Sequence, residues 1–267
     1  MDFLVLEDNG ETLQSVQNLR SLTSLTIPAT VQRIHRGAFK WCYSLVSIEL
    51  PQGLEEIGEF TFAGCTSLTS LTIPTTVRKI HRWAFHDCTL LVSIQLQKGL
   101  EEIGVGCFEY CYSLTSLTIP TTVRKIHHST FAICPSLVSI HLPEGLEDIG
   151  ARSFSGCTSL ERLTIPSTVR KINAWAFERC SSLISVEFQE GLQEIRDCAF
   201  ANCDSLSLVQ MPDTLPRIHP DAFCQLASIE LPEQLRRNYP KPGEDSLDIF
   251  RRFHCECFCG REIGKDY

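Results

Sequence analysis

A spacing constrains this chain more than any other feature. Large apolar residues return every 23 positions, and successive units begin at Leu22, Leu45, Leu68, Leu91, Leu114, Leu137, Leu160, Leu183 and Leu206. Residues 68–113 show the rule most plainly. Leu68, Leu71, Ile73, Val77, Ile80 and Phe85 are matched by Leu91, Ile94, Leu96, Leu100, Ile103 and Phe108, and each half ends in a cysteine, Cys88 or Cys111. The charges do not match: Arg78-Lys79 stands in the first half and Glu101-Glu102 in the second, so the true repeat is a 46-residue pair. Residues 67–81 and 113–127 are identical, the mark of duplication by pairs.

A fixed period of this length predicts a solenoid, in which each unit is one coil. Ordering the backbone costs about 1–2 kcal/mol per residue. A few inward side chains at about 1.5–3 kcal/mol each do not offset that for a lone coil. Stacked coils share inner surfaces and exchange backbone hydrogen bonds, so the chain must fold as an array. Three regions follow: 1–21, a degenerate N-terminal capping coil; 22–235, the solenoid; and 236–267, a linker and Cys-rich tail. In residues 1–21, Leu4 and Leu6 take the strand positions, and Leu13-Gln-Ser-Val16 echoes the later Leu-Glu-Glu-Ile.

Within a coil, the alternating apolar residues closed by proline, as in Ile73-Pro74 and Ile119-Pro120, read as a short parallel strand, because proline has no N–H for a ladder. A second extended piece follows at Val-Arg-Lys-Ile. The Ala-Phe-x-x-Cys segment then reads as one tight helical or 3₁₀ turn that returns the chain.

The pattern Leu-x-x-Ile-x-Leu-Pro-x-x-Leu-x-x-Ile-Gly-x-x-Ala-Phe-x-x-Cys-x-Ser, carried across residues 22–235, resembles the BspA-type (Treponema pallidum-type) leucine-rich repeat. The resemblance implies an α/β-type, right-handed, curved stack with a parallel sheet on one surface. It also implies a role in protein contacts, including adhesion in bacterial surface members, and it carries no catalytic residues. Thr61, Cys107, Thr130 and Ser153 depart from it at the usual alanine.

Charge and cysteine usage narrow the function. A net charge of −8 with a pI near 5.5 argues against a nucleic-acid binder, which needs a basic face. The N-terminal residues lack a secretory pattern, no apolar run reaches bilayer length, and no asparagine sits in an Asn-x-Ser/Thr acceptor, so a cytoplasmic monomer is the expectation. Eight of the 14 cysteines (Cys42, Cys65, Cys88, Cys111, Cys134, Cys157, Cys180 and Cys203) recur once per coil, which predicts a ladder of reduced, packed thiols rather than a disulfide framework. Like charges stacked about 5 Å apart would repel by roughly 0.8 kcal/mol even in water. Alternation of Glu55-Glu56, Arg78-Lys79, Glu101-Glu102, Arg124-Lys125, Glu147-Asp148 and Arg170-Lys171 turns that repulsion into attraction.

Candidate binding residues lie on the strand face. A row of short polar groups includes Ser116, Thr118 and Ser139, and the departures His141, Glu161, Arg162 and Glu187 break its monotony near one end. His35, His81 and His127 recur in alternate coils, roughly 10 Å apart and too far to share one zinc ion. They read as surface residues, and Trp83 and Trp175 read as packing at the turn. In the tail, His254, Cys255, Cys257 and Cys259 form a possible soft-metal (zinc) site, with S-acylation, a capping segment or disorder as the other readings. No nucleophile-elbow, metalloprotease or complete P-loop motif occurs, and Gly260-Arg-Glu-Ile-Gly264-Lys265 lacks the Ser/Thr. The expectation is a non-enzymatic scaffold that binds a protein through its strand face. The alternative is a surface adhesin-like module with the tail as membrane or metal tether.

Overall fold

A computed structural model describes residues 4–16, 21–214 and 216–224. The tail and its proposed ligands His254, Cys255, Cys257 and Cys259 lie outside the described residues, as does the boundary at 235.

Each coil contributes two short parallel strands. In the longer strand the side chain between two exposed residues points inward. Ser70–Thr72 pairs with Ser93–Gln95, and Ser116–Thr118 pairs with Ser139–His141, in a register shifted by one coil so that Leu71 faces Ile94 and Leu117 faces Ile140. Leu71, Ile94 and Leu117 are all buried, in one row inside a shared interior. The second strand of each coil joins a column from Thr12–Val16 through Arg33–Ile34, Glu56–Ile57 and Lys79–Ile80 to Glu102–Ile103. A further column runs from Lys125–Ile126 to Arg217–Ile218. The isoleucines that end these strands, from Ile34 to Ile195, are buried.

The corner that closes each coil differs from the expected helical turn. Among the described residues the coils hold strands and hydrogen-bonded turns but no α-helix, so the array is a β-solenoid. Within one corner, the Ala63 and Cys65 N–H groups donate to Phe60 O and Phe62 O, three residues back. The intervening Phe62 and Gly64 N–H groups donate instead to Ala84 O and His86 O of the next coil. A helix would keep every bond inside its own coil. The zigzag is possible because two residues per corner take left-handed φ, such as Trp83 at 55° and Asp87 at 58°. Alternate peptides thereby face the neighbouring layer, whose carbonyls satisfy them. Phe39, Phe62, Phe85, Phe108, Phe131, Phe154, Phe177, Phe200 and Phe223 project inward from these corners as one stack, with ring centroids 5.1–5.4 Å apart.

The N-terminal residues depart from the sequence reading. Strands β1 (Leu4–Glu7) and β2 (Thr12–Val16) form an antiparallel hairpin, and Leu13, not Val16, stands opposite Ile34. Asp8, Asn9 and Gly10 all adopt positive φ, which reverses the chain where a coil would have continued. The hairpin's second strand serves as the first rung of the column.

The pairing of coils is physical as well as sequential. From Ser24 to His141 the longer strands pair within the two-coil unit, as Ser24–Thr26 does with Ser47–Glu49, whereas the last three, from Arg162 to Gln210, form one continuous sheet. Histidine and glycine alternate at one position of the repeat: His35, Gly58, His81, Gly104, His127, Gly150. A Cβ on Gly104 would lie 2.5 Å from the Arg82 nitrogen, so along this run the close approach to a histidine-bearing coil relies on glycine, whereas Asn173, Arg196 and His219 take the position at the C-terminal end.

Candidate interaction surface

The seven residues singled out from the sequence come together on the strand face of consecutive coils. Ser116, Thr118, Ser139 and His141 flank the inward Leu117 and Ile140, and all four are exposed. Arg162 lies opposite Ser185 and Thr164 opposite Glu187, while Glu161 sits at the entry to its strand, where its carbonyl accepts from Ile184 N at 2.8 Å. Glu161, Arg162 and Glu187 are also exposed. Beside this polar surface runs an apolar row that the sequence reading missed. Val46, Val92, Val138 and Ile184, one per two coils, are 40–47% exposed. Its signal was available as an alternation of Thr23, Thr69 and Thr115 with these residues.

On the second strands the charge ladder forms in the expected sense, each basic coil pairing with the acidic coil after it. Arg78 meets Glu101 at 2.8 Å and Lys79 meets Glu102 at 2.8 Å; Arg124 meets Glu147 at 2.7 Å and Lys125 meets Asp148 at 3.1 Å. These pairs lie at the surface, where each contributes about 0.2–1 kcal/mol. Of the recurring histidines, His35 is exposed, whereas His81 and His127 are half-buried. His81 meets Glu56 at 2.9 Å, and burial holds His127 below the usual imidazole range.

The cysteine ladder packs as expected and adds a bond that spacing does not reveal. The Cys65, Cys88, Cys111, Cys134, Cys157, Cys180 and Cys203 thiols each donate to the phenylalanine carbonyl of the preceding coil, at 3.1–3.3 Å. The donor is the S–H proton, so the arrangement requires reduced sulfur. Burial pushes the Cys88, Cys111, Cys134, Cys157 and Cys180 thiols up, Cys157 to about 12 and Cys111 and Cys134 well above the ordinary range. A thiol so hard to ionise is a poor nucleophile.

Two of the departures at the usual alanine are accommodated by local hydrogen bonds, while the buried Ser153 hydroxyl finds no partner among the described residues. Thr61 and Thr130 are buried, and their hydroxyls donate to Gly58 O at 2.8 Å and His127 O at 2.9 Å. The tryptophans are only partly packing residues. Trp83 is half-buried, stacked on Phe60 at 5.0 Å, and Trp175 lies under the Arg152 guanidinium at 4.8 Å.

The repeat is also recognised by comparison. A family model for the BspA type leucine rich repeat region matches six copies over residues 14–137 and 101–230. The chain belongs to the BspA-type leucine-rich-repeat family. Solved relatives share the fold of this BspA-type protein. A leucine rich repeat protein of T. pallidum superposes with a TM-score of 0.56 at 24% identity, over 77% of this chain and 88% of that one. A leucine rich cell surface protein from Faecalibacterium prausnitzii gives 0.56 at 23% identity, over 85% and 86%. A leucine-rich repeat protein from Bacteroides ovatus gives 0.55 at 23%, over 85% and 69%. No curated protein matches the chain. Among the described residues no group of histidine, cysteine or acidic side chains is placed to hold a metal ion, and no helix is long and apolar enough to cross a membrane.

Proposed function

We propose that this BspA-type array is a non-enzymatic scaffold that binds another protein through the strand face of its central and C-terminal coils. One observation carries the reading. An ordered, exposed row of Ser116, Thr118 and Ser139, interrupted by His141, Arg162 and Glu187, runs beside the exposed apolar Val138 and Ile184. Regular rungs hold these side chains at fixed spacing, so little ordering entropy is lost when a partner lands, and the apolar row supplies dehydration energy. In this reading the array is right-handed and curved, as the family resemblance implies, with the strand face on the inner side, and it acts as a monomer. The S–H donors of the cysteine ladder support a reducing, intracellular setting. An adhesin-like role is the second reading, favoured by the likeness to the F. prausnitzii cell surface protein.

Affinity capture tests the interface. The intact array is compared with a variant carrying aspartate at Ser116, Thr118, Ser139 and His141, both verified as folded. The expected result is a set of bound proteins that the variant loses. Identical sets for the two would move the interface off this face.

A further inference from the structure

A second surface stands out at the corners of the first coils, where the turns carry aromatic rings and cations. Trp41 (φ 66°), Phe60 (φ 55°) and Trp83 (φ 55°) all occupy left-handed backbone, a conformation bulky L-residues resist. This chain uses glycine at the same places. Gly64 is the counterpart of Trp41 one coil later, and Gly106 is the counterpart of Trp83. The aromatic residues are therefore not what the turn requires. Each tryptophan also lies against the glycine that follows it. A Cβ on Gly64 would sit 2.0 Å from the Trp41 ring, and one on Gly106 would sit 2.5 Å from the Trp83 ring. The rings are held in place before any partner arrives.

Cations surround them. Arg36 lies over Phe60 at 5.2 Å, Lys40 over Phe60 at 4.8 Å and over Trp41 at 5.5 Å, and Arg82 over Trp83 at 5.2 Å. Glu59 lies between Arg36 and Arg82, at 3.6 and 2.8 Å, and Glu109 stands near the Trp83 edge, two carboxylates against three cations. The Arg36 and Arg82 side chains remain 61% and 50% exposed, and Trp41 and Tyr43, 5.9 Å apart, are 42% and 47% exposed. Phe60 and Trp83 stack at 5.0 Å along the array, which turns ring edges, the positive rim of the aromatic quadrupole, toward solvent. A locally positive, aromatic and Arg-rich surface on a chain of net charge −8 has the composition of an interface centre.

We propose that the turn face formed by Arg36, Lys40, Trp41, Phe60, Arg82 and Trp83 is a docking platform for an acidic segment of another protein. Carboxylates would meet the guanidinium and ammonium groups and the ring edges, and the segment's apolar side chains would cover Trp41 and Tyr43. A protein segment fits better than a long polyanion. Glu55 and Glu56, in the same coil as Phe60, would repel a chain of uniformly spaced negative charge, whereas a peptide can place its acids selectively.

The test measures fluorescence anisotropy with a labelled peptide of alternating glutamate and leucine, its lysine–leucine counterpart, and a heparin oligosaccharide. The expected result is saturable binding of the acidic peptide, weakened between about 20 and about 200 mM salt, and no binding of the basic one. The triple variant Arg36→Glu, Lys40→Glu, Arg82→Glu should weaken it by roughly tenfold or more. Trp41→Gly with Trp83→Gly is the decisive pair, because glycine suits the left-handed backbone: the fold should persist by circular dichroism while binding falls. The aspartate variant of the strand face should bind the peptide unchanged, which separates the two surfaces. Failure to bind the acidic peptide, equal binding by the glycine pair, or tighter binding of heparin than of the peptide would each overturn the proposal.

Discussion

Replacing Phe108 by leucine tests whether the ring stack couples one coil to the next. Phe108 is fully buried between Phe85 and Phe131, with centroids 5.4 Å away on both sides and planes within 4° of parallel. Phe39, equally buried, begins the stack and has one ring neighbour, Phe62 at 5.1 Å. Leucine retains much of the apolar volume, so both substitutions share a reshaping cost of about 1 kcal/mol. They differ in ring pairs lost. At about 0.5–1.5 kcal/mol per aromatic pair beyond area burial, Phe108→Leu should cost about 2–4 kcal/mol and Phe39→Leu about 1.5–2.5 kcal/mol. Urea unfolding followed by far-UV circular dichroism, with linear extrapolation, measures both. In a stacked array, stability is a sum of coil and neighbour terms, so the central lesion should also broaden or split the transition. A Phe39→Leu loss equal to or larger than that of Phe108→Leu would refute the stack as the source of coupling and leave simple burial in its place.

Two further outcomes follow from the ladders. Arg78→Glu with Lys79→Glu removes the pairs to Glu101 and Glu102 and places carboxylates on three successive coils, so Tm should fall by a few degrees and recover in high salt; an unchanged Tm would remove the charges from the stability argument. The buried thiols predict alkaline sensitivity. Cys111, Cys134 and Cys157 are raised in the folded state, so their stabilising effect is complete below the ordinary thiol pKa near 8.5 and fades as pH rises toward the folded values, about 12 for Cys157. Each such thiol should steepen the loss by about 1.4 kcal/mol per pH unit in that window. Thermal unfolding of the parent and of Cys134→Ala from about pH 8 to about pH 10 checks this; parallel curves would contradict it.

Much of this architecture was legible because the interior is written in rows. Leu71, Ile94 and Leu117 had to line up if the period was real, and the charges on Arg78 and Glu101 then had to face each other. The corner was not legible, because Ala-Phe-x-x-Cys is spaced equally well for a 3₁₀ turn and for the left-handed zigzag. Glycine could have signalled the difference, and does so at Gly37, Gly64, Gly106 and Gly156, but Trp41, Ile133 and Arg179 take the same backbone without it. At the N-terminus, Asp8-Asn9-Gly10 carried a turn signal that a repeat-based reading treats as an insertion. Ser116 and His141 were correctly placed on the exposed face, yet exposure does not name a partner. The turn-face cluster escaped because Phe60 and Trp83 share a repeat position that also holds Gly37, Gly106 and Ser129, and Trp41 lies at another, so periodicity discards them as variation.

The alternation of histidine-bearing and glycine-bearing coils sets a rule for how such an array can grow or shrink. Excising a single 23-residue coil would bring Lys79 onto Lys125 and press the His81 backbone against His127, where no glycine clears the way. Excising a 46-residue pair would keep the acid–base and histidine–glycine alternation intact across the scar. Recombination between the identical segments 67–81 and 113–127 removes that pair, so the array can shorten there with its alternation preserved.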